Sequence, residues 1–260
     1  LQLKRPIMVI ISSRVDETQA LSGLKELASV VGVKDDSLSV SDSLFLKRTD
    51  LPLGDWSAEV EEVAKFLNSK LGKEEVHLAL NVPAAFALAL GIKISSSQVP
   101  PMCIYHFQTG TYHKVIDLTD DSRKLKNIKS DIHRIEAKFH KTGAEELAII
   151  LQFASHSSEG SVKKFLETMN LVADLLEIRH TSSGNVPLGD WSVEVSEIYS
   201  VIQKLRQDNY YRRFHLFLAV PVSIAFALGL ALGTYVPLTI YQYNASAGDS
   251  KELYCPVFML

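Results

Sequence analysis

One hexapeptide occurs twice in this chain. Pro52-Leu53-Gly54-Asp55-Trp56-Ser57 returns as Pro187-Leu188-Gly189-Asp190-Trp191-Ser192, an offset of 135 residues. Downstream, the run from His77 to Gly91 (HLALNVPAAFALALG) is matched by the run from His215 to Gly229 (HLFLAVPVSIAFALG), at an offset of 138. Two collinear matches in order mark a duplicated domain. A repeat of about 120 to 130 residues is too long for a solenoid unit, so each copy can carry its own core. The expected organisation is a first half over residues 1–119, a connector over 120–144 and a second half over 145–260.

Within each half, buried strands alternate with amphipathic helices. Pro6 to Ser13 is a continuous apolar run, as in a strand covered on both faces. Leu21, Leu24, Leu27 and Val30 or Val31 give a helix over Glu17 to Val31, and residues 39–47 read as a strand. Asp55 is placed to cap a helix carrying Trp56, Val60, Val63 and Leu67. Val76 to Val82 is a strand, Pro83 starts the next helix, and Gly91 is positioned to close it. Pro101 to Phe107 and Tyr112 to Leu118 form a hairpin around Thr109-Gly110. The connector carries Leu125, Ile128, Ile132 and Ile135 at roughly helical spacing, which predicts an exposed helix. The second half repeats the order: strand Glu146 to Phe153, helix Val162 to Leu176, and a helix capped by Asp190. Strand Phe214 to Val220, helix Pro221 to Leu232 and a closing hairpin from Val236 to Met259 follow. This is the α/β class: two Rossmann-like halves related by a pseudo-two-fold axis, each a mostly parallel sheet with helices on both faces.

In such sheets ligands bind beyond the carboxyl ends of the strands, where helix N-termini present free amides. Four loops qualify: Ser12-Ser13-Arg14, Ala154-Ser155-His156-Ser157, Asn81 with Pro83 and Ala84, and Pro221-Val222-Ser223. Their serines serve either as helix caps or as phosphate contacts. Trp56 and Trp191 lie in line with apolar helix faces, as core anchors or as stacking partners for a base. Tyr105 with Phe107, and Tyr241 with Tyr243, share a strand face in each half; packing is favoured over a stacking platform. His77 and His215 read as satisfied core histidines. A net charge of −3 argues against long nucleic acid but leaves small anionic ligands open. Neither first strand is followed by a dinucleotide glycine fingerprint or a P-loop, and His106 and His113 lack metal-site spacing, so no cofactor and no metal are expected. Nothing demands catalysis.

Cys103 and Cys255 read as two buried thiols of a cytosolic protein. No run is long and apolar enough to span a membrane. The chain opens at Leu1 without a methionine, as a part excised from something longer would.

One combination of features resembles a known family. A buried strand runs into Pro and small residues, then an Ala-rich helix ending in Gly, from Phe214 to Gly229. Val236-Pro237-Leu238-Thr239-Ile240-Tyr241 and a hairpin at Tyr254-Cys255-Pro256-Val257 follow. This resembles the SAVED domain, which looks like two fused CARF-type halves. The resemblance implies a bacterial, cytoplasmic sensor of cyclic oligonucleotide messengers in anti-phage defence, of either the CBASS or the type III CRISPR kind. It implies a ligand between the halves, against the loops named above. It also implies head-to-tail self-association that activates a fused or partner effector such as a TIR domain, nuclease or protease. The halves are unequal, with Asn81 replaced by Ala219 and Ala85 by Ser223, which suits an asymmetrically read ring. Cyclic tri- or tetra-adenylate is the expected ligand. The alternative is a ring nuclease that cleaves the messenger, with Ser12, Ser155 and His156 as participants.

Overall fold

A computed structural model of the chain describes residues 2–95, 99–154 and 158–260. The first half contains β1 (Lys4–Ile11), α1 (Glu17–Val31), α2 (Val40–Ser43), β2 (Leu44–Lys47), α3 (Ser57–Asn68), β3 (Glu75–Asn81), α4 (Ala84–Ile94), β4 (Met102–Gln108) and β5 (Thr111–Asp117). The second begins with β6 (Ile135–His140), β7 (Glu146–Gln152), α5 (Glu159–Thr168), β8 (Asp174–His180) and α6 (Ser192–Asp208). It ends with β9 (Arg213–Ala219), α7 (Val222–Leu232), β10 (Leu238–Tyr243) and β11 (Tyr254–Met259).

The strand orders are β2-β1-β3-β4-β5 and β11-β10-β9-β7-β8-β6. Read from the other edge, β8-β7-β9-β10-β11 is the first order again, with β6 added beyond β8. In each half four strands are parallel, and the last, β5 or β11, runs antiparallel. Period-two alternation splits every central strand between two cores. Ile7, Val9 and Ile11 of β1 face the inner core, while Met8 and Ile10 face the outer one under α1. In β7, Leu147, Ile149 and Leu151 face inward, and Ala148 and Ile150 face α5. Burial on both faces is why these strands read as unbroken apolar runs.

A single inner core spans both halves, with α3, α4, α6 and α7 between the sheets. α4 and α7 are apolar all round and form its centre. They cross at Gly91 and Gly229. A Cβ on Gly91 would lie 2.1 Å from the Phe226 carbonyl oxygen, and one on Gly229 would lie 2.2 Å from that of Leu88. Residues 88 and 226 are themselves repeat equivalents, so this reciprocity is the pseudo-two-fold axis at atomic scale. Gly91 therefore does not close its helix, which continues to Ile94; it lets two backbones touch.

Three local expectations change. The strand expected over 39–47 is halved, because α2 takes Val40–Ser43 and leaves β2 only Leu44–Lys47. The helix expected to Leu176 ends at Thr168, Asn170 turns the chain with φ 51°, and β8 starts at Asp174. No exposed helix occupies the connector. Its segment makes one buried 3-10 turn around Leu125 and then the edge strand β6. Polar groups buried on α6 hold it: Glu197 Oε1 accepts from the amides of His133 (2.7 Å) and Arg134 (2.9 Å), and Ser200 Oγ from that of Lys129 (2.8 Å).

Candidate functional site

The repeated hexapeptide fastens each half to the other. Trp56 N–H donates to the Val257 carbonyl of β11, and Trp191 N–H to the Val115 carbonyl of β5, both at 2.7 Å. Each indole also donates to the carbonyl of the proline four residues before it, Pro52 or Pro187, at 2.8 Å. The carboxylates of Asp55 and Asp190 accept from the amide and hydroxyl of the serine two residues on. The aspartates thus sit one residue before the cap position expected of them; the tryptophans occupy it. With relative exposures of 2% and 0%, the tryptophans are anchors. That burial leaves neither indole a free face for a base to stack on.

The paired aromatics are explained in the same way. The Tyr105 hydroxyl and His77 Nδ1 are 2.8 Å apart, as are the Tyr241 hydroxyl and His215 Nδ1. His77 Nε2 lies 2.7 Å from Glu75, and His215 Nε2 lies 3.2 Å from Glu146. A carboxylate only accepts, so each Nε2 carries the proton and each Nδ1 accepts from its tyrosine. Burial pushes both imidazoles below 6.5, against the pull of their glutamates. Phe107 and Tyr243, two residues on from the tyrosines, are exposed instead.

Among the described residues one group could bring metal-ligating atoms together: Glu75, His77 and Cys103, within 4.8 Å. Burial pushes the Cys103 thiol up to about 12, which keeps it protonated. The equivalent strand position in the second half is Thr239, beside the same histidine–tyrosine pair. Glu75 and His77 of this group are already bonded to each other and, through His77, to Tyr105. Cys103 and Cys255 are both free thiols, the first buried and the second half-buried.

A cleft of about 950 Å³ opens at the carboxyl ends of β1, β3 and β4. α1 forms one wall, with Thr18, Gln19, Ser22, Gly23 and Glu26, and the start of α7 forms the other, with Pro221, Val222 and Ser223. A second hollow of about 450 Å³ adjoins it, lined by Phe153, Ala154, Asn185 and Trp191. His106, Phe107, Val220 and Pro221 line both, so the two form one trough across the halves. His106 from the first half lies over Trp191 from the second, with ring centroids 4.7 Å apart. Burial, with His113 nearby, pushes His106 below 6.5.

α7 meets this trough end-on, after Pro221 and without a side-chain cap. The amides of Val222, Ser223 and Ile224 therefore lack helical acceptors, and helix ends of this kind favour anions. Among the described lining residues there is no lysine or arginine; the neutral donors include these amides and the side chains of Thr18, Gln19, Ser22, Asn81 and Asn185.

Of the expected site residues, the trough gathers Asn81, Tyr105, Ala154, Trp191, Pro221, Val222 and Ser223. Ser223 is itself buried, its hydroxyl donating to the Tyr105 carbonyl at 3.2 Å, so it braces the wall. Ser155, His156 and Ser157 lie outside the described residues. The rest fall elsewhere. Ser13 is bound through its hydroxyl and amide to Asp50, and Ser12 Oγ accepts from the Arg14 amide; neither they nor Arg14 line the trough. Pro83 and Ala84 open α4, which is likewise uncapped but outside the trough. Tyr241 borders a separate hollow beside α5. Sequence reasoning missed His106 and the α1 wall. The signal for α1 is its polar stripe, Thr18, Gln19, Ser22 and Glu26, recurring at helical spacing with Gly23 inside it.

The profile of SAVED, the "SMODS-associated and fused to various effectors sensor domain", matches residues 48–118 and 119–260. The chain belongs to the SAVED family. Solved structures share its fold. The Acinetobacter baumannii Cap4 SAVED/CARF-domain containing receptor with the cyclic trinucleotide 3'3'3'-cAAA aligns at a TM-score of 0.61 and 15% identity, over 97% of this chain and 51% of that one. The same receptor with 2'3'3'-cAAA gives 0.60 and 16%, over 97% and 50%. The Moraxella osloensis Cap4 receptor gives 0.53 and 18%, over 98% and 49%. This SAVED chain thus spans about half the length of those receptors. A comparison with curated proteins finds no match. No helix among the described residues is long and apolar enough to cross a membrane.

Proposed function

We propose that this SAVED chain captures a cyclic oligonucleotide messenger, a cyclic tri- or tetra-adenylate, in the trough between its halves. The trough itself carries the reading: its walls come from both halves, and it ends on an uncapped helix N-terminus that suits phosphate. One receptor of the same fold holds either of two cyclic trinucleotides, which agrees with it. Bound copies associate head to tail, through two different surfaces, so that assembly need not close. An effector, a TIR domain, nuclease or protease, is supplied by fusion or by a partner in a bacterial cytoplasm. Of the residues a ring nuclease would use, Ser12 faces the Arg14 amide and not the trough, while Ser155 and His156 lie outside the described residues.

A thermal-shift panel of cyclic di-, tri- and tetranucleotides tests the reading. A ring at 100 times its dissociation constant adds about 2.7 kcal/mol of stability and raises the melting temperature. A flat response to every ring contradicts it.

A further inference from the structure

The loop before the repeated hexapeptide differs between the halves in one telling place. Two residues before the repeat stands Asp50 in the first half and Asn185 in the second. The Asp50 carboxylate accepts from the Ser13 hydroxyl at 2.7 Å and from the Ser13 amide at 3.2 Å, which ties down the loop after β1. Asp50 lines neither part of the trough. Asn185 lines the second hollow, together with Phe153 and Ala154, which follow β7. It is exposed, and its side chain bonds to no described residue. An acceptor already in use in one half is, in the other, an open amide that can also donate.

The loop that carries Asn185 is anchored to buried groups. Thr181 donates through its amide and its hydroxyl to the Arg134 carbonyl, at 3.0 and 3.1 Å. The Ser182 amide donates to His180 Nδ1 at 3.0 Å, and the Ser182 hydroxyl lies 2.6 Å from the same nitrogen. An amide can only donate, so Nδ1 is the acceptor and Nε2 carries the proton. That Nε2 lies 3.1 Å from Glu194 Oε2, and Glu194 Oε1 accepts from Arg134 Nη1 at 3.1 Å. A chain of bonds thus runs from a wholly buried carboxylate to the start of the loop. Gly184, at φ 80°, turns the chain immediately before Asn185.

Charge selects what the amide meets. Glu26 is the one carboxylate among the described lining residues, and it stands in the larger cleft. The hollow at Asn185 has no lysine, arginine or carboxylate among its described lining residues, and Pro221 brings the open end of α7 to it. A phosphate is disfavoured beside Glu26 and favoured beside α7. Two side-chain amides line this hollow; Gln108 hydrogen-bonds the His106 ring, which leaves Asn185 to donate outward.

We propose that Asn185 Nδ2 donates to a phosphate of the bound ring, and that a neutral amide at this position, where the first half has a carboxylate, admits the anionic ligand to the second hollow. This assignment rests on the cyclic-oligonucleotide reading.

Calorimetric titration with 3'3'3'-cAAA compares the wild type with Asn185→Ala and Asn185→Asp. Because the position is exposed, both variants are expected to unfold near the wild-type temperature. Asn185→Ala removes the donor and is expected to bind about tenfold more weakly. Asn185→Asp keeps the shape but sets a charge against the phosphate. It is expected to lose about a hundredfold, with the deficit shrinking as salt is raised. A bracing role like that of Asp50 would give the opposite order, since a carboxylate accepts at least as well as an amide. Undiminished affinity in both variants, or a loss in Asn185→Asp no greater than in Asn185→Ala, overturns the assignment and leaves the sensing reading standing. No wild-type binding to any ring of the thermal-shift panel overturns both.

Discussion

At the scale of single residues, the buried histidines make stability depend on pH. Burial lowers the pKa of His77 and His215 below the 6.5 of the unfolded chain, so the unfolded state takes up protons first as the solution is acidified. Their contribution is complete above pH 6.5 and is lost as pH falls through that value toward the folded pKa. At Glu146, burial acts upward but bonds from His215 and Arg212 hold the carboxyl below 4.5, so its loss comes at lower pH. Stability to urea is expected to fall from pH 7 to 5.5, and replacing both histidines by glutamine should make that limb shallower, with His106, also lowered by burial, supplying the remainder; an unchanged slope would show that His77 and His215 do not set it. His106 contributes to the site as a neutral ring. His106→Ala is expected to keep the fold and weaken ring binding about tenfold, measured by calorimetry. The tryptophans were legible as core anchors from their place on apolar helix faces. His106 was not, because its role depends on meeting Trp191 from the other half, and no local pattern encodes that encounter.

Elements carry the second set of consequences. Gly91→Ala or Gly229→Ala would drive a methyl into the opposite helix backbone, forcing α4 and α7 apart. Overpacking of this kind costs about 1–3 kcal/mol, more where backbone must move. Each substitution should lower the denaturant midpoint, and the double variant should lose less than the sum, since one contact is broken twice. Gly91 is in register with Gly229 in the sequence, yet a glycine near a helix end looks the same whether it caps the helix or receives a neighbour. Only the crossing distinguishes them. β8 was hidden differently: Glu177 and Arg179 face α5, where they pair with Lys163 and Glu159, so its apolar face reads as an extension of the preceding helix. β6 alternates weakly because it is an edge strand.

Across the whole molecule, one inner core and two reciprocal backbone bonds bind the halves together. Each tryptophan amide is satisfied by the other half's last strand, so a separated half would leave donors, acceptors and the α4 or α7 face unpaired. Unfolding is expected as one transition with equal calorimetric and van't Hoff enthalpies, and residues 119–260 alone should lack a cooperative transition. Two separate transitions would mean that the halves are independent domains. The duplication itself, the alternation of strand and helix and the two-fold relation were legible from the repeat, because they need only periodicity and collinearity.

Hydrogen exchange with and without 3'3'3'-cAAA reads both walls of the trough together, because the amides of Val222, Ser223 and Ile224 have no helical acceptors of their own. Slowed exchange is expected there and along β4 at Tyr105 to Phe107, in both walls of the trough at once. Protection confined to one half, or lying outside the trough, would contradict a messenger held between the two.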